Sequence, residues 1–483
     1  MTSHSNQTGA DIRAKLNHPV VDADGHMIEA TFALIDFVKQ IGGADLAAKY
    51  EKTWAPDQPG RQRGATWIGN SGSATIDRAT AMLPRLFYER MDEAGIDFAM
   101  VYGTVALSVL GLNDDELRPV VYRALNMLYA DMFQGLSDRM APVAVIPTHT
   151  PEEAVAELDF AVGELGLKAV VINGMIRRPH PEVLAKAPEL AHHTLAPTSP
   201  AMDVGDAYDP VWAKCVELGV APTCHNGFRG RGSTHGSESN YVFNSLGSFS
   251  QGSDYFCRSV LFGGVVSRFP TLKFAFLEGG SNWAAQLYNN LFEYYEKRNL
   301  TALRENLDPA ALDWDVLTEM FAKYGDDKDY LDIDRLKAWP QHGDAAGSPT
   351  DLKPEDLDDF GAAGITSPED IRDIFVNNFY FGSEADDRMT SVGFDTKINE
   401  FGIKINAILG SDIGHWDVPD MTKVMVEAYE MLEDGFVSED DFRDFTFGNV
   451  VEMHTGMNPD FFKGTVVEDA AEKFKTERKA AAE

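Results

Sequence analysis

The sequence is poor in cysteine, in basic charge and in long apolar runs. Its three cysteines, Cys215, Cys224 and Cys257, form no CxxC pair and leave an odd count. That argues against a disulfide framework and fits a reducing cytoplasm, the expected location. Lys and Arg number 42 against 76 Asp and Glu, for a formal charge of −34. Such a field repels nucleic acid and anionic membranes, so neither is expected as a partner. No apolar run reaches membrane-spanning length. Residues 1–16 are polar and lack the apolar core of a secretory leader. GxGxxG and Walker sequences are also missing, which removes the usual phosphate turn of a doubly wound sheet.

What is there is a chain of 483 residues, 44% hydrophobic, enough for a large core. Short apolar runs recur at 19–24, 96–103, 143–147, 167–173, 220–225, 272–278, 378–381 and 405–412. Most are followed by a helical pattern. One such helix, 84–94, stops at Gly95. Another starts with Thr150 as N-cap, Pro151 at N1 and Glu153 closing a capping box. A third opens at Asp209-Pro210 and ends at Gly219. Eight strands alternating with helices predict an α/β fold, a (β/α)₈ TIM barrel with insertions after strands 1 and 6. The expected domains are a loose N-terminal arm at 1–17, a barrel at 18–465 and a charged, frayed tail at 466–483. Residues 40–80 read as a long excursion. The acidic stretch 299–370 reads as an insertion that is not an independent domain.

In a barrel the chemistry sits at the C-terminal ends of the strands. Asp24 and His26, at i and i+2 on the first strand, share a face. A carboxylate and an imidazole at that spacing suit a divalent cation such as Zn²⁺ or Mn²⁺. His225 ends the fifth strand, Glu278 the sixth and Asp412 the eighth. These are metal-ligand residue types, far apart in sequence, that a barrel would gather at one mouth.

The segments VDADGHMIE, MDEAGIDFAMVYGT, DPVWAKCVELGVAPTCHNG, GGVVSRFPTLKFAFLEGGSNW and GSDIGHWD together resemble the amidohydrolase superfamily. The branch is the amidohydrolase-related one that includes aminocarboxymuconate-semialdehyde decarboxylase and resorcylate-type decarboxylases. The resemblance leaves out the arm, residues 40–80 and 299–370. It implies a metal held by Asp24, His26, His225 and Asp412, with Asp412 also the general base. The family's strand-six histidine position holds Glu278, a departure that weighs against decarboxylation. Glu278 is then a further ligand, an orienting group or a general acid/base. His415, three residues past Asp412, could hydrogen-bond a ligand carboxylate. Arg229 and Arg231 could grip a substrate carboxylate. Trp283 and His180 are the remaining substrate-side candidates.

The function expected on these grounds is metal-dependent hydrolysis of an acyl bond, whether amide, ester, thioester or C–C, in a small organic acid. A metal-activated water would be the nucleophile. Non-oxidative decarboxylation of an aromatic or unsaturated carboxylate is the rival enzyme reading. A non-catalytic barrel scaffold is the third. Zn²⁺ is the favoured cofactor, with Mn²⁺ or Fe²⁺ compatible. The expected partners are a small-molecule substrate and a second copy of the chain.

Overall fold

The eight apolar runs are strands: β1 (Val21–Met27), β2 (Phe98–Gly103), β3 (Met140–Ile146), β4 (Ala169–Ile172), β5 (Pro222–Cys224), β6 (Phe274–Phe276), β7 (Phe379–Glu384) and β8 (Ala407–Gly410). A computed structural model provides them; it describes residues 6–54, 69–225, 227, 235–237, 239–325, 328–338 and 352–482. The strands pair in chain order, all parallel. The two ends of the sheet then meet. Asp412 N donates to Asp24 O at 3.0 Å and His26 N to Ile413 O at 2.9 Å. The result is a nearly closed (β/α)₈ barrel, as predicted. A separate antiparallel ribbon, Ile176–Pro179 with Leu195–Thr198, follows β4.

The core lies in two layers. Between sheet and helices, Phe274, Phe276, Phe379 and Phe381 pack with Phe256 and Phe375 of the surrounding helices. Most of these contacts are edge-on, the arrangement the ring quadrupole favours. Inside the barrel, Tyr102 of β2 reaches across to β5, its hydroxyl 3.0 Å from Thr223 Oγ1.

Helix boundaries follow local chemistry. Pro84–Ala94 ends at Gly95, left-handed at φ 77°. Asp209–Leu218 ends at Gly219, φ 66°. Thr150 caps Pro151–Leu158 by accepting from Glu153 N. The reciprocal half of the expected capping box does not form. Glu153 instead accepts two 2.8 Å hydrogen bonds from Arg118. A charge-assisted fork of this kind outweighs a single bond to a backbone N–H.

Both termini are better ordered than their composition suggests. In the arm, Thr8 and Asp11 form a capping box for the helix Gly9–Arg13. Ile12 joins the core. Glu468–Ala482 is a helix rather than a frayed tail. Val467, Ala471 and Phe474 are buried at i, i+4 and i+7, and that stripe anchors an otherwise charged segment.

Residues 289–371 form a compact unit of their own, distinct from the unit of 1–288 and 372–483. Within it, Tyr295 packs edge-on against Phe360 and Arg304 pairs with Glu355. Its helix Trp314–Tyr324 buries no residue.

Candidate active site

Five of the predicted groups converge at the C-terminal mouth of the barrel. Asp24 and His26 lie on β1. His225 follows β5, Glu278 lies two residues past β6 and Asp412 two past β8. His26 Nε2 is 3.5 Å from Asp24 Oδ1 and 3.2 Å from Asp412 Oδ1. His225 Nε2 is 3.5 Å from Asp24 Oδ2 and 2.9 Å from Glu278 Oε2. The two histidine rings stand edge to face, 5.1 Å apart. His415 joins them, stacked on His26 at 3.9 Å, with Nδ1 2.5 Å from Asp412 Oδ1.

The remaining candidates fall elsewhere. Trp283 packs edge-on against Phe276 and Phe381, in the layer between sheet and helices. His180 is exposed just before the helix Pro181–Lys186. Arg229 and Arg231 lie outside the described residues.

Strand geometry alone does not build this cluster. Among the described residues four non-glycines take positive φ, and two of them are Glu278 (53°) and Asp412 (50°). Left-handed backbone at such residues costs roughly 1–3 kcal/mol, and it concentrates at functional sites. Asp22 holds the seam beneath. Its Oδ1 accepts from Asp24 N at 3.1 Å and Ser411 N at 2.9 Å, and its Oδ2 from Ser411 Oγ at 2.6 Å. One buried carboxylate therefore fixes the backbone beside both Asp24 and Asp412.

The cluster is almost sealed from water, yet many of its polar atoms lack hydrogen bonds. Asp24 Oδ1, both nitrogens of His26 and of His225, Glu278 Oε2 and both oxygens of Asp412 are buried with no well-formed hydrogen bond, and their close approaches are to one another or to His415. Burial drives the Asp24 carboxyl up to about 8, and nearby Glu278 adds to the rise. Burial and Glu278 also push Asp412 well above the carboxylate range. His26 is held well below its usual value by burial and by the neighbouring imidazoles of His415 and His225. For His225, burial acts downward, but Asp24 and Glu278 overcome it and raise the ring to about 9. Several buried carboxylates crowded against imidazoles are a costly arrangement unless a cation neutralises them. The donor atoms also suit one. Asp24, His26 and His225 offer ligand atoms within 4.8 Å of one another, as do His26, Glu278, Asp412 and His415. Two imidazoles with carboxylate oxygens fit a divalent metal.

Three groups at the mouth were not singled out from the sequence. Tyr102 lies with its ring 6.0 Å from those of both His26 and His225. It read there as one more apolar strand residue. Glu384 ends β7. Burial, then Glu278 and Asp417, raise its carboxyl to about 9. Its only sequence signal is an acid after Phe-Gly-Ser at a strand end. Thr104 Oγ1 lies 3.1 Å from His415 Nε2, and no local pattern marks it.

The amidohydrolase family model matches residues 84–328, just over half of the chain, and the chain belongs to that family. The matched span carries His225 and Glu278, while Asp24, His26 and Asp412 lie outside it. No curated protein matches the chain. Among solved structures, an amidohydrolase from Mycobacterium avium subsp. paratuberculosis K-10 is 17% identical with a TM-score of 0.53, over 91% of this chain and 100% of that one. A dihydroxybenzoic acid decarboxylase from Polaromonas sp. JS666, with bound manganese and the inhibitor 2-nitroresorcinol, is 15% identical with a TM-score of 0.50, over 91% and 97%. A 2,6-dihydroxybenzoate decarboxylase from Rhizobium is 13% identical with a TM-score of 0.49, over 91% and 99%. At these identities the likeness to the Mycobacterium and Polaromonas structures shows the fold alone.

The expected acyl-bond hydrolysis is corrected by the Polaromonas neighbour, a dihydroxybenzoic acid decarboxylase on the same fold, which favours the carboxy-lyase alternative. The coarser statement stands: the chain is an enzyme of the amidohydrolase family whose buried cluster has the donor set for a divalent metal. No helix among the described residues is long and apolar enough to cross a membrane.

Proposed function

We propose that the chain is a metal-dependent, non-oxidative decarboxylase of a small aromatic carboxylate. The observation that carries this reading is the sealed cluster of Asp24, His26, His225 and Asp412, whose imidazole nitrogens and carboxylate oxygens face one another at ligand spacing. Those four residues would hold the cation, and the carboxylate-rich donor set suits manganese. Manganese is also bound in the Polaromonas decarboxylase of the same fold. The bound ion would supply positive charge to hold the substrate carboxylate and its neighbouring oxygen.

The chain's own residues carry the proton. Loss of CO₂ leaves the electron pair of the broken C–C bond on the ring carbon, which must then take a proton. Asp412 and His415, 2.5 Å apart, form a carboxyl–imidazole pair that can keep one at the mouth and deliver it. Burial of Asp412, 3% exposed, keeps bulk water from supplying the proton there instead. Glu278, against His225 Nε2, orients that ring. Tyr102 forms the floor under both histidines.

The test is manganese-loaded protein incubated with a panel of hydroxybenzoates and methoxy-hydroxybenzoates. Released CO₂ should match the decarboxylated phenol mole for mole. Substrate consumed without CO₂, or no turnover across the panel, would overturn the reading.

A further inference from the structure

We propose that Thr104 is a positioning residue whose hydroxyl holds the His415 ring flat over His26 and against Asp412. His415 is tethered at both ends. Nδ1 faces Asp412 Oδ1 at 2.5 Å and Nε2 faces Thr104 Oγ1 at 3.1 Å. The ring lies on His26 at 3.9 Å, with an interplanar angle of 24°. An imidazole held at one nitrogen can flip about its Cβ–Cγ bond, which swaps Nδ1 for a carbon. A second anchor at Nε2 makes that flip lose both contacts.

Thr104 can act this way because it is itself fixed. It opens the short helix Thr104–Val109 directly after β2. The Glu29 carboxylate accepts from the next two backbone amides, Val105 N at 2.8 Å and Ala106 N at 3.1 Å. Tyr129 donates its hydroxyl to the same carboxylate at 2.5 Å. Gly103 makes room for this: a Cβ there would lie 2.1 Å from Glu29 Oε1 and 2.0 Å from Tyr129 Oη. Glu29 is only 3% exposed and lies three residues after His26. The contacts thus form a ring. It runs from His26 along the chain to Glu29, across to the helix start and Thr104, and through His415 back onto His26. A buried carboxylate is expensive to desolvate. Here it sets the position of the one segment that reaches His415 Nε2 from β2.

The kinetic half of this inference rests on the proposed decarboxylation; the structural half does not. Thr104→Val keeps the shape and removes the hydroxyl, and Thr104→Ser keeps the hydroxyl. A crystal structure of Thr104→Val should show the His415 ring off its stack on His26, with Nδ1 turned from Asp412. Its kcat should fall roughly 10–100-fold, the usual effect of losing an orienting partner, with KM and bound manganese unchanged. Thr104→Ser should restore both ring position and turnover. An undisturbed ring, an unchanged kcat, or a loss of manganese in step with kcat would each overturn the assignment. If Thr104→Val does not fold, Thr104→Ala makes the same comparison. If the wild type releases no CO₂ but the ring moves as stated, the decarboxylase reading fails and the positioning role stands.

Discussion

The two ends of the barrel are built to opposite rules. At the end where strands begin, polar groups are paired. Asn378 donates to Pro270 O at 2.9 Å and Leu272 O at 2.8 Å. Asp97 accepts from Val20 N at 2.7 Å and Arg13 Nε at 2.5 Å. Asn406 donates to three carbonyls between Phe375 and Phe379. At the end where strands finish, carboxylates and imidazoles are buried with few well-formed hydrogen bonds and two residues are in strained backbone. The beginning ties strands together. The finish stores unmet polarity that a metal and a substrate can satisfy. That division matches the general rule that barrels place chemistry at one face and stability at the other.

The largest expected effects come from breaking the mouth. Asp412→Asn should cost on the order of 10²–10⁴-fold in turnover, the range for losing an acid/base group. Part of the bound manganese should remain, because three ligands persist. His225→Ala should differ, losing manganese and turnover together. Turnover and elemental analysis of both variants decide the point. Near wild-type turnover in Asp412→Asn would move the proton role to Glu278.

A smaller effect is expected from breaking the opposite end. Asp97→Ala leaves Val20 N and the Arg13 guanidinium without their acceptor, at about 1–3 kcal/mol. kcat per folded molecule should stay at the wild-type value. Denaturant unfolding beside steady-state kinetics tests this. A drop in kcat without loss of stability would erase the distinction between the ends.

A third comparison, over the window from pH 7 to pH 5, sharpens the contrast through pH. His454 lies on the helix Asn449–Met457, whose last residue approaches Gly219 just before β5. Burial pushes its imidazole down to about 3. A histidine depressed in the folded state contributes its stability fully above the unfolded value of about 6.5. That stability is lost as pH falls from there toward 3, at on the order of 1.4 kcal/mol per pH unit. The thermal midpoint should therefore drop between pH 7 and pH 5. His454→Phe should flatten the slope. An equal slope in both proteins would assign acid sensitivity to other groups.

Much of this is legible in the sequence, and the reasons are local. Strand runs, the glycines at 95 and 219 and the Thr150 cap are decided by neighbours a few residues away. The same is true of Asp24 and His26, because a strand's period of two puts them on one face. The helical tail was misread for a related reason: its anchoring stripe of Val467, Ala471 and Phe474 is sparse beneath heavy charge. Trp283, a substrate-side candidate whose commoner role is packing, lies among aromatic rings against Phe276 and Phe381.

By itself the sequence determined the strand and helix order, the barrel class and the residue types able to hold a metal. These depend on short-range periodicity and turn chemistry. Only the tertiary structure decided which groups share the site. Asp22 grips Ser411 across 389 residues, and Thr104 meets His415 across 311. Such pairs exist because the last strand closes against the first. Barrel closure is a property of all eight strands, written in no single stretch of the chain.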